Sequence, residues 1–399
     1  MSNLNSAPRS VRLHIEIFGK TNSGKSSLLN ALTTHSTSVV SPVKGTTTDP
    51  VYKSIELYGL GPCVLIDTAG FDDTGEIGAL RVKKTQDALK RTDIAIVLFD
   101  ATETNFDKEI EWANKLIKKE KPILAVISKV DLNNDTSQIE KLIQDKFNLK
   151  ALKIYSTQEN LQHIVRKELI KINKNKPKKR SIVEALVNKD DVVMLVMPQQ
   201  INAPEGRLIL PQVQTIRDLL DHHCVTVSVC TDEIDTALKA LVKPPKLIIT
   251  DSQVFPLVYK KKPKESLLTS FSILLSAVKG DVKKFAAAAK AIDNLTQDSK
   301  VLIAEACTHA PLTEDIGRVQ IPRLLRKKVG ENLNIEFVSG TDFPSNLDDF
   351  DLVIHCAGCM FNRTYMMNRL EECLDKKVPM TNYGICIAKL SNILDFVDY

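Results

Sequence analysis

The sequence predicts an α/β protein of three consecutive domains: a P-loop nucleotide-binding domain over residues 1–173, a small α/β domain over 181–262 and a metal-binding α/β domain over 264–399. Three observations predict it. An aliphatic run, Arg12-Leu-His-Ile-Glu-Ile-Phe18, leads into Gly19-Lys-Thr-Asn-Ser-Gly-Lys25-Ser26 and then into a helical pattern, the strand–loop–helix order of a phosphate-binding loop. Short β-branched runs alternating with helical patterns recur from there to the C-terminus, as parallel sheets require. The last of these runs, Val301 to Ala306 and Asp351 to His355, lead into thiols and imidazoles at the strand ends where open α/β sheets place ligands.

A chain of 399 residues is long enough for two or three separate cores. Its net charge of +5 calls for neither nucleic acid nor a membrane surface, and its apolar runs are too short to span a bilayer. No apolar signal segment is visible in residues 1 to 10, so the cytoplasm is the expected compartment. The eight cysteines are then reduced, and serve as ligands or core residues rather than as a disulfide framework.

In the first domain, Gly19 and Gly24 let the backbone around Asn22 and Ser23 close on phosphate oxygens, with Ser27 at the start of the helix that follows. Lys25 is expected on the terminal phosphates and Ser26 on Mg²⁺. A later strand ends in Asp67-Thr-Ala-Gly70, where Asp67 holds Mg²⁺ through water and the Gly70 amide meets the γ-phosphate. Another ends in Ser128-Lys129-Val-Asp131, a variant of the guanine-reading NKxD pattern. The Asp131 carboxylate would accept two hydrogen bonds that adenine cannot supply. Ser128 departs from the usual Asn, which weakens one expected base or loop contact. Ser156 and Thr157 follow a short strand and are expected near the base. Phe71 stands where Ras-type enzymes carry the water-orienting Gln, so that catalytic group is missing.

The segment Val43-Lys-Gly-Thr46-Thr47-Thr48-Asp-Pro50 resembles the first switch of the Era/MnmE-like GTPases. That resemblance implies Thr47 as a Mg²⁺ ligand, with Thr46 and Thr48 as register alternatives, and it places Lys25, Thr47, Asp67 and Gly70 in the hydrolytic centre. Asn22 matches the Asn with which potassium-activated members hold K⁺ beside the phosphates, where the ion does the work of an arginine finger.

After a helix over 159–172, the basic run Asn173 to Arg180 reads as a solvated linker. Residues 181–262 carry strands at 191–197, 225–230 and 247–250, with helices near 213–222 and 233–241. Adjacent His222, His223 and Cys224 diverge at a helix end and read as structural. The third domain begins with helices at 266–278 and 282–295, followed by strands at 301–306, 334–338, 351–355 and 378–382. Tyr383 and Gly384 follow the last strand and should border the metal site, and Arg318, Arg323, Arg326 and Arg363 lie near the motifs. Cys373 and Cys386 fall in helical patterns and belong to the core, while Cys63 and Cys230 read as small buried hydrophobes.

Neighbouring strands would bring Cys307, Cys356 and Cys359 together, with His309 and His355 close by. Soft thiolates of this number suit zinc or an iron–sulfur cluster, and spacing does not choose between them. A redox CxxC pair would leave Cys307 and both histidines without a role. By strand parity His355 points away from the face of Cys356, whereas His309 shares the parity of Cys307.

The pairing of Cys307-Thr-His309 with His355-Cys356-Ala-Gly-Cys359 on a chain that opens with a P-loop resembles the HydF family, whose motif is CxH and HCxxC with a spacer in the mid-forties to low fifties. The tail Val378-Pro-Met-Thr-Asn-Tyr-Gly-Ile has the same look, and the resemblance covers nearly the whole chain. It implies a GTPase that matures FeFe-hydrogenases, with a 4Fe-4S cluster on Cys307, Cys356 and Cys359, and His309 or His355 as fourth ligand or supporting group. It also implies a homodimer made by 181–262, GTP, Mg²⁺ and K⁺ as cofactors, and a transient di-iron cargo. Radical-SAM maturases and the apo-hydrogenase are the implied partners. The competing expectation is an RNA-modification or ribosome-assembly GTPase with a structural zinc domain.

Overall fold

The computed structural model describes residues 8–33, 51–68, 85, 87–174, 181–199, 208–306 and 315–399. It divides into two compact units, residues 1–178 and 179–399. In the first, the chain runs through β1 (Leu13–Phe18), α1 (Lys25–Thr33), β2 (Val51–Leu57), β3 (Gly61–Asp67), β4 (Ile94–Asp100), α2 (Asp107–Lys118), β5 (Ile123–Ser128), α3 (Ser137–Phe147), β6 (Leu152–Lys153) and α4 (Leu161–Lys174). The strands lie in the order β2-β3-β1-β4-β5-β6, parallel except for the β2–β3 hairpin.

Strand β4, Ile-Ala-Ile-Val-Leu-Phe-Asp, is buried at every position, as a central strand covered on both faces must be. Leu28 and Leu32 of α1 and Leu161, Val165 and Leu169 of α4 pack on one face against Ile15, Ile17 and Leu65. Trp112 and Leu116 of α2 and Ile139 and Ile143 of α3 pack on the other against Phe18, Val97 and Ile127. Trp112 is 2% exposed, and its ring lies 5.6 Å from that of Phe18. Truncating it to Ala would cost about 3–5 kcal/mol. This rigid layer aims the C-terminal strand ends, and the loops that follow them, at one edge of the unit.

The second unit carries two four-stranded parallel sheets. The first is built from β7 (Val192–Val196), β8 (Val225–Val229), β9 (Leu247–Thr250) and β10 (Leu267–Ser270), interleaved with α5 (Leu210–Asp221), α6 (Ile234–Ala240) and α7 (Phe255–Lys261) and followed by α8 (Phe271–Lys279). After α9 (Val282–Ala288), the second is built from β11 (Lys300–Glu305), β12 (Asn334–Ser339), β13 (Leu352–His355) and β14 (Met380–Asn382). Its helices are α10 (Ile321–Val329), α11 (Arg363–Asp375) and α12 (Tyr383–Leu390). The two sheets share one continuous core, in which Met194, Ile248 and Phe255 join Val301, Ile303, Ile354 and Tyr383.

Two expectations are corrected here. The helix read at 266–278 begins as strand β10, the edge of the middle sheet, and turns helical only at Phe271. The Ser270 hydroxyl makes the switch by accepting the Ile273 N–H as a helix cap. The domain start read at Lys264 therefore precedes a strand of the middle sheet. The helix read at 282–295 is α-helical only to Ala288 and continues as a 3-10 helix over Ala289–Asn294. Cys373 and Cys386 lie in α11 and α12, are fully buried, and burial pushes each thiol up to about 12. His222 is held by its own helix, with Nδ1 2.8 Å from the Asp218 carbonyl.

Candidate nucleotide site and thiol site

The loop from Gly19 to Gly24 leaves β1 and delivers Lys25 as the first residue of α1, so the helix N-terminus and the loop amides face the same space. Its shape depends on left-handed backbone at Asn22 (φ 62°) and Gly24 (φ 93°). A Cβ at Gly19 would stand 2.5 Å from Ser23 Oγ, so any side chain there would displace that hydroxyl. Lys25 is 8% exposed, and its Nζ donates to the carbonyls of Gly19 at 2.9 Å and Lys20 at 2.6 Å. Ser26 Oγ donates to Asp67 Oδ2 at 3.0 Å, which brings the hydroxyl of α1 and the carboxylate of β3 to one point. Burial raises the Asp67 carboxyl, and the Ser26 bond and the Lys25 charge offset it only in part. Such a hydroxyl–carboxylate pair at the phosphate loop is a donor set for a hard cation such as Mg²⁺.

At the next strand end, Ser128 is 4% exposed, and its Oγ donates to the Ser23 carbonyl at 2.8 Å. The short hydroxyl thus ties the base-reading segment to the phosphate loop, so the loop contact expected to weaken with Ser in place of Asn is made directly. Lys129 adopts φ 56°, and its Nζ lies 2.6 Å from Asp100 Oδ2. Asp100, at the end of β4, is a group the sequence reading missed. Its place opposite Ser128 exists only in the assembled sheet, so the sequence carries no signal for it. Burial pushes its carboxyl up, but the bonds from Lys129 and Thr102 outweigh this and leave it below the usual carboxylate range. Asp131, Ser156 and Thr157 are exposed, and the Val130 N–H donates to the Ile154 carbonyl, so the two segments run side by side. Thr46, Thr47, Thr48, Gly70 and Phe71 lie outside the described residues.

An exposed carboxylate is free to meet a base edge, and the hydrogen-bond pattern it accepts decides which base. Asp131→Asn is therefore expected to shift preference from GTP toward xanthosine triphosphate by about 10²-fold or more, read as the ratio of the two dissociation constants. An unchanged ratio removes Asp131 from base reading.

The thiol motif stands at the other functional edge. The last sheet has the order β12-β11-β13-β14, so the chain leaves β11 for one side and returns to β13 on the other. This is the topological switch point at which open sheets bind ligands. Cys307 follows β11 and Cys356 follows β13. The Cys356 N–H extends the ladder to the Ala304 carbonyl at 2.9 Å. Its Sγ accepts the N–H groups of Ala306 at 3.1 Å and Gly358 at 3.4 Å. Gly358 (φ 65°) allows the turn that presents Cys359, and both thiols are half-buried. Cys307 and His309 lie outside the described residues.

His355 is 1% exposed, with Nδ1 2.8 Å from the Cys356 carbonyl and Nε2 2.7 Å from Arg369 Nη1. Burial, reinforced by the Arg369 charge, lowers its pKa to about 3, so the ring is neutral. With both nitrogens engaged, His355 holds the loop in this arrangement, the supporting role that was expected as its alternative to ligating the metal. Arg363 Nη1 donates to the carbonyls of Val278 and Gly280, and Arg318 pairs with Glu305 at 3.0 Å, so neither guanidinium is uncommitted. The Tyr383 hydroxyl lies 3.4 Å from Glu305 Oε1, and Asn382 caps α12 beside it. Sulfur that accepts backbone N–H bonds at a switch point fits a thiolate ligand to a soft metal or iron–sulfur cluster. Arg369 was missed because nothing in the spacing from residue 355 to 369 announces a contact.

Comparison with known proteins finds matches along most of the chain. The model of the 50S ribosome-binding GTPase family matches residues 14–129. GTPase Der of Chloroflexus aggregans is 41% identical over 130 residues, which cover 32% of this chain and 29% of the relative. The tRNA modification GTPase MnmE of Bordetella petrii is 36% identical over 129 residues, 32% of this chain and 28% of that one. The chain thus spans less than a third of the length of either curated relative. The solved structure of Aquifex aeolicus Era matches at a TM-score of 0.33 and 19% identity, covering 54% of this chain and 92% of the other. Beyond the GTPase domain, the hydrogen maturase F dimerization domain matches 182–280 and the hydrogen maturase F tetramerization domain matches 283–397. These two models of one family together take up more than half of the sequence behind a P-loop GTPase domain, and the chain belongs to the hydrogen maturase F (HydF) family of hydrogenase maturation GTPases.

Proposed function

We propose that this chain hydrolyses GTP and serves as the scaffold and carrier on which the di-iron subcluster of FeFe-hydrogenase is held before delivery to the apo-enzyme. The observation that carries the reading is Cys356 Sγ, seated at a switch point and bonded by two backbone amides within a segment that matches a hydrogen maturase model. Cys307, Cys356 and Cys359 hold a 4Fe-4S cluster, which supplies an iron position open to exchangeable ligands. His309 stays the candidate for that position or its border, and His355 positions Cys356. In the GTPase domain Lys25 and the Gly19–Ser27 loop bind the phosphates. Ser26, Thr47 and Asp67 hold Mg²⁺, the Gly70 amide meets the γ-phosphate, and Lys129, Asp131, Ser156 and Thr157 read guanine. Asn22 holds K⁺.

The chain acts as a homodimer through the middle domain, with radical-SAM maturases and the apo-hydrogenase as partners, in the cytoplasm. The family's tetramerization region extends the self-association surface. Among the described residues no helix is long and apolar enough to cross a membrane.

The test is activation of apo FeFe-hydrogenase by the anaerobically loaded protein. Hydrogen evolution above the apo-enzyme background is expected, and none with protein loaded with zinc. Activation that proceeds equally well without this chain overturns the carrier role. GTP turnover measured alongside should be faster in K⁺ than in Na⁺, and Asn22→Ala should erase that difference. A K⁺ effect that survives the substitution places the ion elsewhere.

A further inference from the structure

Arg369 projects from α11 into the loops at the C-terminal edge of the last sheet and is 2% exposed. Its Nη2 donates to the Gly340 carbonyl at 2.8 Å, beyond β12, and its Nη1 lies 2.7 Å from His355 Nε2, at the end of β13. The rings of Phe343, Phe361 and Tyr365 stand around the guanidinium with centroids at 4.6, 4.8 and 5.0 Å. Because a guanidinium does not deprotonate in proteins, His355 Nε2 must be the acceptor, and the imidazole proton sits on Nδ1. That proton is donated to the Cys356 carbonyl at 2.8 Å. A fixed positive charge is thereby relayed through one ring to the peptide that carries the thiol.

A buried cation is costly unless an anion faces it. Aromatic faces replace part of the lost hydration, yet within the described residues no carboxylate is among the contacts of this guanidinium. The ionisable groups whose charges reach it are Tyr365, Cys356 and Glu372. Tyr365 stands in the same cage, and Glu372 lies on the same helix. Of these, Cys356 is the thiol of the ligand loop, and it directly follows the His355 that Arg369 contacts. The other arginines at this edge are committed, Arg318 to Glu305 and Arg363 to backbone carbonyls.

We propose that Arg369 is a positioning residue that supplies the buried counter-charge of the iron–sulfur site, orienting Cys356 through His355 and raising the reduction potential of the bound cluster. The inference rests on the reading that the three thiols hold such a cluster. A positive charge near the cluster favours the reduced, more anionic state, so its loss makes reduction harder. The cage and the relay both require the planar fork for geometry, but only the charge is needed for the potential. A lysine at this position keeps the second property and loses much of the first.

The test is redox titration of reconstituted full-length protein, followed by EPR, for the wild type, Arg369→Gln and Arg369→Lys. In Arg369→Gln the ratio of reduced to oxidised cluster, at the potential that half-reduces the wild type, is expected to fall about tenfold, or about 59 mV for a one-electron couple. Arg369→Lys should unfold at lower temperature yet keep that ratio within about threefold of the wild type. A folded Arg369→Gln protein with an unshifted titration overturns the proposal. If Arg369→Gln does not fold, Arg369→Lys decides alone, because a shift as large as tenfold with the charge retained contradicts it. A wild-type protein that takes up no cluster overturns instead the reading on which the inference rests, and is told apart by iron and sulfide content before any titration.

Discussion

Lys25→Ala lowers GTP hydrolysis by about 10²- to 10³-fold while leaving the GTPase domain folded. The expectation follows from where the ammonium sits. Lys25 is nearly buried at the first position of α1, bridged to the Gly19 and Lys20 carbonyls, with the loop amides on the same side. In the proposed reading a charge held there would act on phosphate oxygens, whose negative charge shifts during transfer, so its loss would be felt at saturating GTP and not only in binding. Two charge-assisted contacts to backbone carbonyls are lost as well, at a cost to stability of about 1.5–3 kcal/mol each. Far-ultraviolet circular dichroism and single-turnover hydrolysis separate the two effects. A variant that binds GTP and turns it over at the wild-type rate removes Lys25 from the hydrolytic centre.

Cys356→Ala abolishes the cluster and hydrogenase activation but leaves GTP turnover within about twofold of the wild type. In the proposed reading three thiolates would anchor the cluster, and removing one would leave an iron without its ligand and two backbone amides without their sulfur acceptor. The alanine is smaller, and neither the ladder bond to Ala304 nor the core beneath it requires the sulfur, so the sheet persists. The P-loop belongs to a different compact unit, with its own core. Loss of both activities in a folded variant would show that the two sites are energetically coupled.

What the sequence made legible was set by local chemistry. The strand–loop–helix around Gly19–Ser26 is dictated by glycine and lysine at fixed spacing, and the buried run Ile123–Ser128 is unmistakably apolar. Strands β11 and β13, which Cys307 and Cys356 follow in the sequence, were legible for the same reason. Strand β2, Val51–Leu57, escaped notice because its alternation is weak and its identity comes from antiparallel pairing with β3. The stretch 266–279 was misread because a short apolar strand that runs straight into an apolar helix has no periodic break, only the Ser270 cap. Asp100 and Arg369 act through partners far away in sequence, Lys129 and His355, and such contacts exist only once the sheets are assembled. Strand parity alone had turned His355 away from the face of Cys356, but the reason for its burial, a guanidinium enclosed by three rings, lies in tertiary packing.

The most direct measurement of the central claim is iron, sulfide and zinc analysis of the full-length chain after anaerobic reconstitution, with EPR of the reduced sample. The account predicts about four iron and four sulfide per chain with the signal of a reduced cluster, both lost in Cys356→Ala. Stoichiometric zinc that iron and sulfide do not displace, with no chromophore and no EPR signal, would contradict it.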